Sequence, residues 1–246
     1  MFGNVINGFV SIFSGKNIIA KHLVLLLISI FSYWIYTING ANKTASITML
    51  IIAFLLSLAF SMFFGGYLLS FVHNAFDGEL KNKLPEITFK HFNVFFGAIP
   101  LYIVWGIYYS LFSLLLAAIA IPFLLKNMFV GIIFIIILFL WSMFFPFIYI
   151  GYAREFKVNG LFNISIIFKY FKYTCKDIFI LALIFVPTVL LIFAIPLFLL
   201  WATKILFDIN VIFNVSLYYF GIIINFAWHY CLVQIYKDNI LPQIDE

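Results

Sequence analysis

Six long apolar stretches separated by short polar breaks run through the chain, at residues 23–38, 47–72, 97–121, 128–150, 178–201 and 211–236. Each is close to the roughly 20 apolar residues that a helix needs to cross a bilayer. Three shorter segments between them carry a helical period with one apolar and one polar face. In 163–177, Lys169, Lys172 and Lys176 share one face and Ile164, Ile167, Phe168 and Phe171 the other, with Tyr170 and Tyr173 between them. This pattern predicts a helix lying in the membrane plane, its apolar side at the acyl boundary and its lysines among the headgroups. In 1–20, Asn4, Asn7, Ser11 and Ser14 oppose Phe2, Ile6, Phe9 and Phe13, a second in-plane helix. A signal peptide is the competing reading, but Lys16 and Lys21 follow the apolar residues instead of preceding them, and cleavage is not expected. A third in-plane turn starts at Pro85 and Glu86, with Phe89, Phe92 and Phe96 toward lipid and Glu86, Lys90 and Asn93 toward water, although Ile87 and Val94 interrupt its faces.

Within the apolar stretches the polar and small residues are not random. Ala53, Ser57, Ser61 and Gly65 recur every four residues in the second, a spacing that lets another helix approach closely, and packing is preferred there over a pore lining. Gly221, Asn225 and His229 recur at the same spacing in the sixth and form a candidate polar face, read first as interhelical hydrogen bonding and second as a ligand or proton site. Pro187 and Pro196 kink the fifth. Tyr33, Trp34 and Tyr36 mark the outer end of the first as interfacial aromatics.

Composition makes the membrane assignment compulsory. Of 246 residues 66% are hydrophobic and 9% charged, with mean hydropathy +1.17, far from a soluble domain. The expected fold is all-α: one integral membrane domain over 1–246, a polytopic bundle of six transmembrane helices with interfacial amphipathic helices. The 13 Lys against a single Arg, and the 34 Phe, point to an AT-rich genome. Eleven basic residues fall in breaks on one side of this arrangement and three, Lys43, Lys126 and Lys204, on the other. The positive-inside rule then puts both termini in the cytoplasm of a cell-membrane protein. The net charge of +5 is scattered through membrane-proximal segments, so anionic lipid is the expected partner and nucleic acid is not. Arg154, Lys169, Lys172 and Lys176 are the candidate headgroup contacts, with an Arg154–Glu155 ion pair as the alternative use of Arg154. A protein partner or a homo-oligomer is a further expectation.

Catalytic chemistry finds no foothold. His73, Asp77, Glu79, Glu86 and His91 cluster in one break, but the spacing completes no zinc or di-iron ligand set, and Asp77 with Gly78 reads as a turn in a solvated loop. Cys175 and Cys231 lack metal-ligand spacing and are expected to be reduced and structural. No phosphate-binding loop, zinc-protease helix or serine-nucleophile elbow occurs. No catalytic residue, metal or cofactor is therefore expected.

The same unit, an in-plane helix followed by a hairpin of spans, recurs at 1–74, 78–155 and 159–237, giving three parallel repeats. Asn7, Gly8 and Phe9 are echoed by Asn159, Gly160 and Phe162. The chain also resembles the prokaryotic integral membrane proteins of domain-of-unknown-function family 4013. The resemblance rests on Gly66, Tyr67 and Leu68; on Asp77, Gly78, Glu79, Leu84, Pro85 and Glu86; on Tyr152, Ala153, Arg154, Glu155, Gly160, Phe162 and Phe168; and on His229, Gln234 and Tyr236. It implies six spans and no activity. The function expected is that of a noncatalytic scaffold, assembly or lipid-organising protein, with a permease or the membrane subunit of a multicomponent transporter as the alternative.

Overall fold

A computed structural model describes residues 1–41, 47–76, 84–104, 106–107, 110–111, 114, 133, 145–157, 164–207 and 210–244. The elements are α1 (Phe2–Ile12), α2 (Ile18–Ala41), α3 (Ile47–Phe76), α4 (Lys90–Gly97), α5 (Phe145–Glu155), α6 (Ile164–Phe207), α7 (Asn210–Asn239) and α8 (Leu241–Ile244). All are helical. Three helices among the described residues are long and apolar enough to cross a membrane, at Ile51–Phe76, Lys172–Ala202 and Asn210–Asn239. Their outer faces carry Phe54, Leu55, Leu183, Leu190, Leu191, Ile195, Phe198, Val211 and Ile212, all exposed. So continuous an apolar surface belongs in lipid, and the chain is a membrane protein. The first expected span lies in the 24-residue α2; about half of the third and most of the fourth lie outside the described residues.

The last long helix is the hub. α7 packs against α1, α2, α3, α5, α6 and α8, and its C-terminal half, with Phe226, Ala227, Cys231, Leu232 and Val233 almost fully buried, supplies the centre of the core. Rings interlock it with its neighbours: Phe226 meets Phe64, Tyr67 and Phe71 of α3, and Trp228 meets Phe185 of α6. Edge-on contacts of this kind contribute about 0.5–1.5 kcal/mol each beyond burial.

α1 departs from the surface helix expected at 1–20. It runs alongside α7, with Asn4 level with Cys231, Gly8 against Ala227, and Ile12 joined through His22 to Tyr219. Phe9 inserts between Phe185 and Phe193 of α6. The sorting of faces explains the change: Val5, Gly8, Phe9, Ser11 and Ile12 are buried, whereas Phe2, Ile6, Val10 and Phe13 are exposed. Both faces are therefore apolar, and the buried Ser11 hydroxyl is silenced by its bond to the Gly8 carbonyl. Such a helix gains more from the α6–α7 groove than from an aqueous boundary. Gly15 and Asn17, both at positive φ, make the turn into α2.

α6 is a second correction. The in-plane helix of 163–177 and the span of 178–201 are one uninterrupted helix of 44 residues, about 66 Å long at 1.5 Å per residue. Pro187 and Pro196 lie inside it without ending it. Tyr170, Thr174, Ile178, Leu181, Phe185 and Thr188 form one buried stripe through the expected boundary, so packing on α7 holds both parts on a common axis. The third in-plane turn also changes: 85–88 are not helical, and α4 starts only at Lys90. Phe89 and Phe96 are exposed, as are Glu86, Lys90 and Asn93.

Candidate functional site

The two stripes singled out in the sequence are partly gathered at one cleft between α2, α3 and α7. Tyr33, Phe64, Asn214, Leu217, Tyr218, Gly221, Ile222 and Asn225 line an open cavity of about 590 Å³. It adjoins a second of about 320 Å³ lined by Ile28, Ser32, Ser57, Phe60, Ser61, Phe64 and Ile222; Phe64 and Ile222 border both. A step of four residues overshoots a helical turn by about 40°, and this drift divides each stripe. On α3, Ala53 is buried, Ser57 and Ser61 open on the cleft, and Gly65 faces Phe95 and the Tyr102 hydroxyl. On α7, Gly221 and Asn225 line the cleft, while His229 has turned toward Tyr149, ring centroids 5.5 Å apart. His229 Nδ1–H donates to the Asn225 carbonyl at 2.9 Å. The Tyr149 hydroxyl is buried and has no hydrogen-bond partner among the described residues.

The basic candidates form a separate edge. Lys169, Lys172 and Lys176 are exposed on α6, and Arg154 at the end of α5 is half-buried. The opposite side of α6 is fixed: the Tyr170 and Tyr236 hydroxyls lie 3.5 Å apart, and the Asn239 carboxamide donates to Asp177 at 2.5 Å. Burial pushes the Tyr170 phenol well above its ordinary value, with the neighbouring Tyr236 adding to the shift. Lys237, one of the eleven basic residues counted on one side of the expected topology, donates to the Phe76 carbonyl at 3.0 Å, where a cation suits the C-terminal end of α3. The side chains of Ile164, Ile167, Phe168 and Phe171 lie outside the described residues.

A third cluster was not legible in the sequence. Three consecutive carbonyls after α3 each receive a side-chain donor from a different helix. Lys21 Nζ donates to Leu84 O at 2.6 Å, the Tyr67 hydroxyl to Pro85 O at 3.2 Å, and His91 Nε2–H to Glu86 O at 2.7 Å. Leu84, Pro85 and His91 are buried, whereas Glu86, Ile87, Phe89 and Lys90 are exposed; Asp77, Gly78 and Glu79, on which the solvated loop was expected, lie outside the described residues. Burial lowers the Lys21 ammonium from its ordinary value, and the Glu86 carboxylate opposes the shift. Burial likewise holds His91 below the usual imidazole range against its bond to the Glu86 carbonyl. The Ser70 hydroxyl, which donates to the Gly66 carbonyl at 2.9 Å, also lies 3.1 Å from Nδ1 of this ring. The signal available was Lys21 itself, a charge at the start of an apolar run that the expected loops left without a partner.

The free thiols Cys175 and Cys231 differ in setting: Cys231 is buried with its Sγ 3.5 Å from the Asn4 carbonyl, and Cys175 is half-buried. Among the described residues no group of three or more His, Cys, Asp or Glu could hold a metal ion. The chain matches no family model, no curated protein and no solved structure.

Proposed function

We propose that this chain is a noncatalytic multi-pass protein of the cell membrane, with six spans in three parallel repeats and both termini in the cytoplasm, that organises anionic lipid and serves as a scaffold for assembly. The resemblance to family 4013 favours the same architecture. The observation that carries the reading is the exposed row Lys169, Lys172 and Lys176 on α6, whose opposite face is clamped to α7 through Tyr170 and Asp177. A row held on a rigid helix meets headgroups without the ordering cost of a loose basic loop. Each lysine near an anionic leaflet contributes about 1 kcal/mol. The full chain, repurified after exposure to mixed phosphatidylglycerol and phosphatidylcholine vesicles, should retain phosphatidylglycerol preferentially. Replacing all three lysines with Gln should cut that preference by up to about 100-fold at low salt. An unchanged lipid ratio in the variant removes the basis of the proposal.

The cleft favours a second reading, a permease or the membrane subunit of a multicomponent transporter, because uncharged polar groups on span-length helices are a familiar lining for solute paths. Stable copurification of an ATPase with the full chain would favour this reading over the first.

A further inference from the structure

We infer that the cleft between α2, α3 and α7 is a binding site for a neutral, hydroxyl-bearing lipid, distinct from the anionic lipid at the basic edge. The warrant begins with unmet hydrogen-bonding capacity. The carboxamides of Asn214 and Asn225 and the hydroxyls of Tyr33 and Tyr218 all border the cleft, and none bonds to another described residue. In a membrane-spanning bundle an amide or hydroxyl without a partner is costly, so such groups call for a complementary one.

The chemistry of that complement follows from the lining. Among the described residues it is uncharged, which gives a phosphate or an ammonium nothing there to neutralise it. Carboxamides and phenols both donate and accept, and the groups that match both roles are hydroxyls and esters. Phe64, Leu217 and Ile222 supply apolar wall between the polar groups. Asn214 and Asn225 are 11 residues apart on one helix, about 16 Å along its axis, so the site suits an elongated molecule with polar groups spread over that length. Leu217 and Tyr218, which line the cleft, are exposed together with Val211 and Ile212 of the apolar belt. The mouth therefore opens where lipid lies, and an amphiphile enters from the bilayer more readily than a free solute from water. A glycosyl diacylglycerol has these properties.

The test uses the full chain in detergent, incubated with phosphatidylglycerol vesicles containing a minor share of monoglucosyl diacylglycerol, then repurified and its lipid measured by mass spectrometry. The glycolipid should be enriched about tenfold over its share in the vesicles, the weight of one or two net hydrogen bonds. Asn214→Leu and Asn225→Leu should each remove most of the enrichment, and Tyr218→Phe, which takes away one hydroxyl and almost no volume, should lower it about threefold. The triple Lys→Gln variant of the basic edge should leave it intact, so that failure here and failure of the anionic-lipid reading can be told apart. Excess free glucose should not displace the glycolipid; displacement would overturn the lipid assignment. Absence of enrichment in the wild type, or enrichment indifferent to all three cleft variants, overturns the site.

Discussion

Gly66→Ala tests whether the junction of α3 and α4 depends on a bare backbone contact. A Cβ built on Gly66 would lie 1.8 Å from the His91 carbonyl oxygen and 2.7 Å from its carbon, both backbone atoms. An ordinary carbon–oxygen contact is about 3.3–3.6 Å, so α4 must retreat by about 1.5 Å. No rotamer change can relieve the clash. The retreat stretches the Ser70–His91 bond, now 3.1 Å, beyond hydrogen-bonding range, and draws the neighbouring Glu86 and Pro85 carbonyls off their donors. Overpacking costs about 1–3 kcal/mol, and one lost internal hydrogen bond adds about 0.5–1.5 kcal/mol, giving a destabilisation of about 2–4 kcal/mol. Gly221→Ala is the matched control: it too lies within a helix, but nothing stands within 4 Å of its added Cβ, and the gain in helix propensity should stabilise it by about 0.5–1 kcal/mol. Tryptophan-fluorescence melts of both variants in one detergent should move in opposite directions. A Gly66→Ala melt equal to or above that of Gly221→Ala would falsify the close approach.

Lys21→Met keeps the aliphatic stem and leaves the Leu84 carbonyl without its donor, so the melt should fall by the equivalent of about 1–3 kcal/mol, whereas Lys16→Met, at an exposed position, should leave it in place; equal melts would show that Lys21 carries no weight. His91 has a folded pKa below its ordinary value, so the unfolded chain binds more protons in the window between the two. Stability should therefore fall as pH is lowered through that window, with a slope of at most about 1.4 kcal/mol per pH unit. His91→Gln should flatten the pH dependence relative to wild type, and an undiminished slope would move its origin to another group. For the topology, in a background with Cys175 and Cys231 replaced, cysteines at Lys43, Lys126 and Lys204 should react with an impermeant maleimide on intact cells and cysteines at Lys83, Lys172 and Lys237 should not; the reverse pattern would invert the orientation.

The membrane character and the long helices were legible because lipid imposes a coarse rule, about 20 apolar residues in a row, that survives without any tertiary information. Faces were less legible. The 1–20 segment shows polar residues at helical spacing, but Ser11 can satisfy itself on the Gly8 carbonyl, so a polar face in sequence need not be a wet face in structure. Lys21 and Lys237 each counted only toward the basic side of the expected topology, yet both donate their ammonium groups to backbone carbonyls 63 and 161 residues away. No local pattern records a bond between such distant partners. The cleft was half legible: Gly221 and Asn225 could be placed on a common face from spacing alone, but that Ser57 and Ser61 would open on the adjoining cavity depends on how α2 and α3 cross α7.

The continuity of α6 shows why the basic segment should be considered together with its span. An amphipathic segment lying flat on a membrane must bend sharply to enter it, and sharp bends need a break in the backbone hydrogen bonding. None occurs between Lys169 and Leu181, where the burial stripe Tyr170, Thr174, Ile178 and Leu181 continues without a shift of phase. Thr174 even returns its hydroxyl to the Tyr170 carbonyl, keeping a β-branched polar residue compatible with the helix. With Asp177 tied to Asn239 and Tyr170 beside Tyr236, the lysines are fixed relative to α7, and α7 forms one wall of the cleft. A shift of α6 driven by headgroups at Lys169–Lys176 would thus be passed directly to the helix that carries Asn214 and Asn225, without any loop to absorb it.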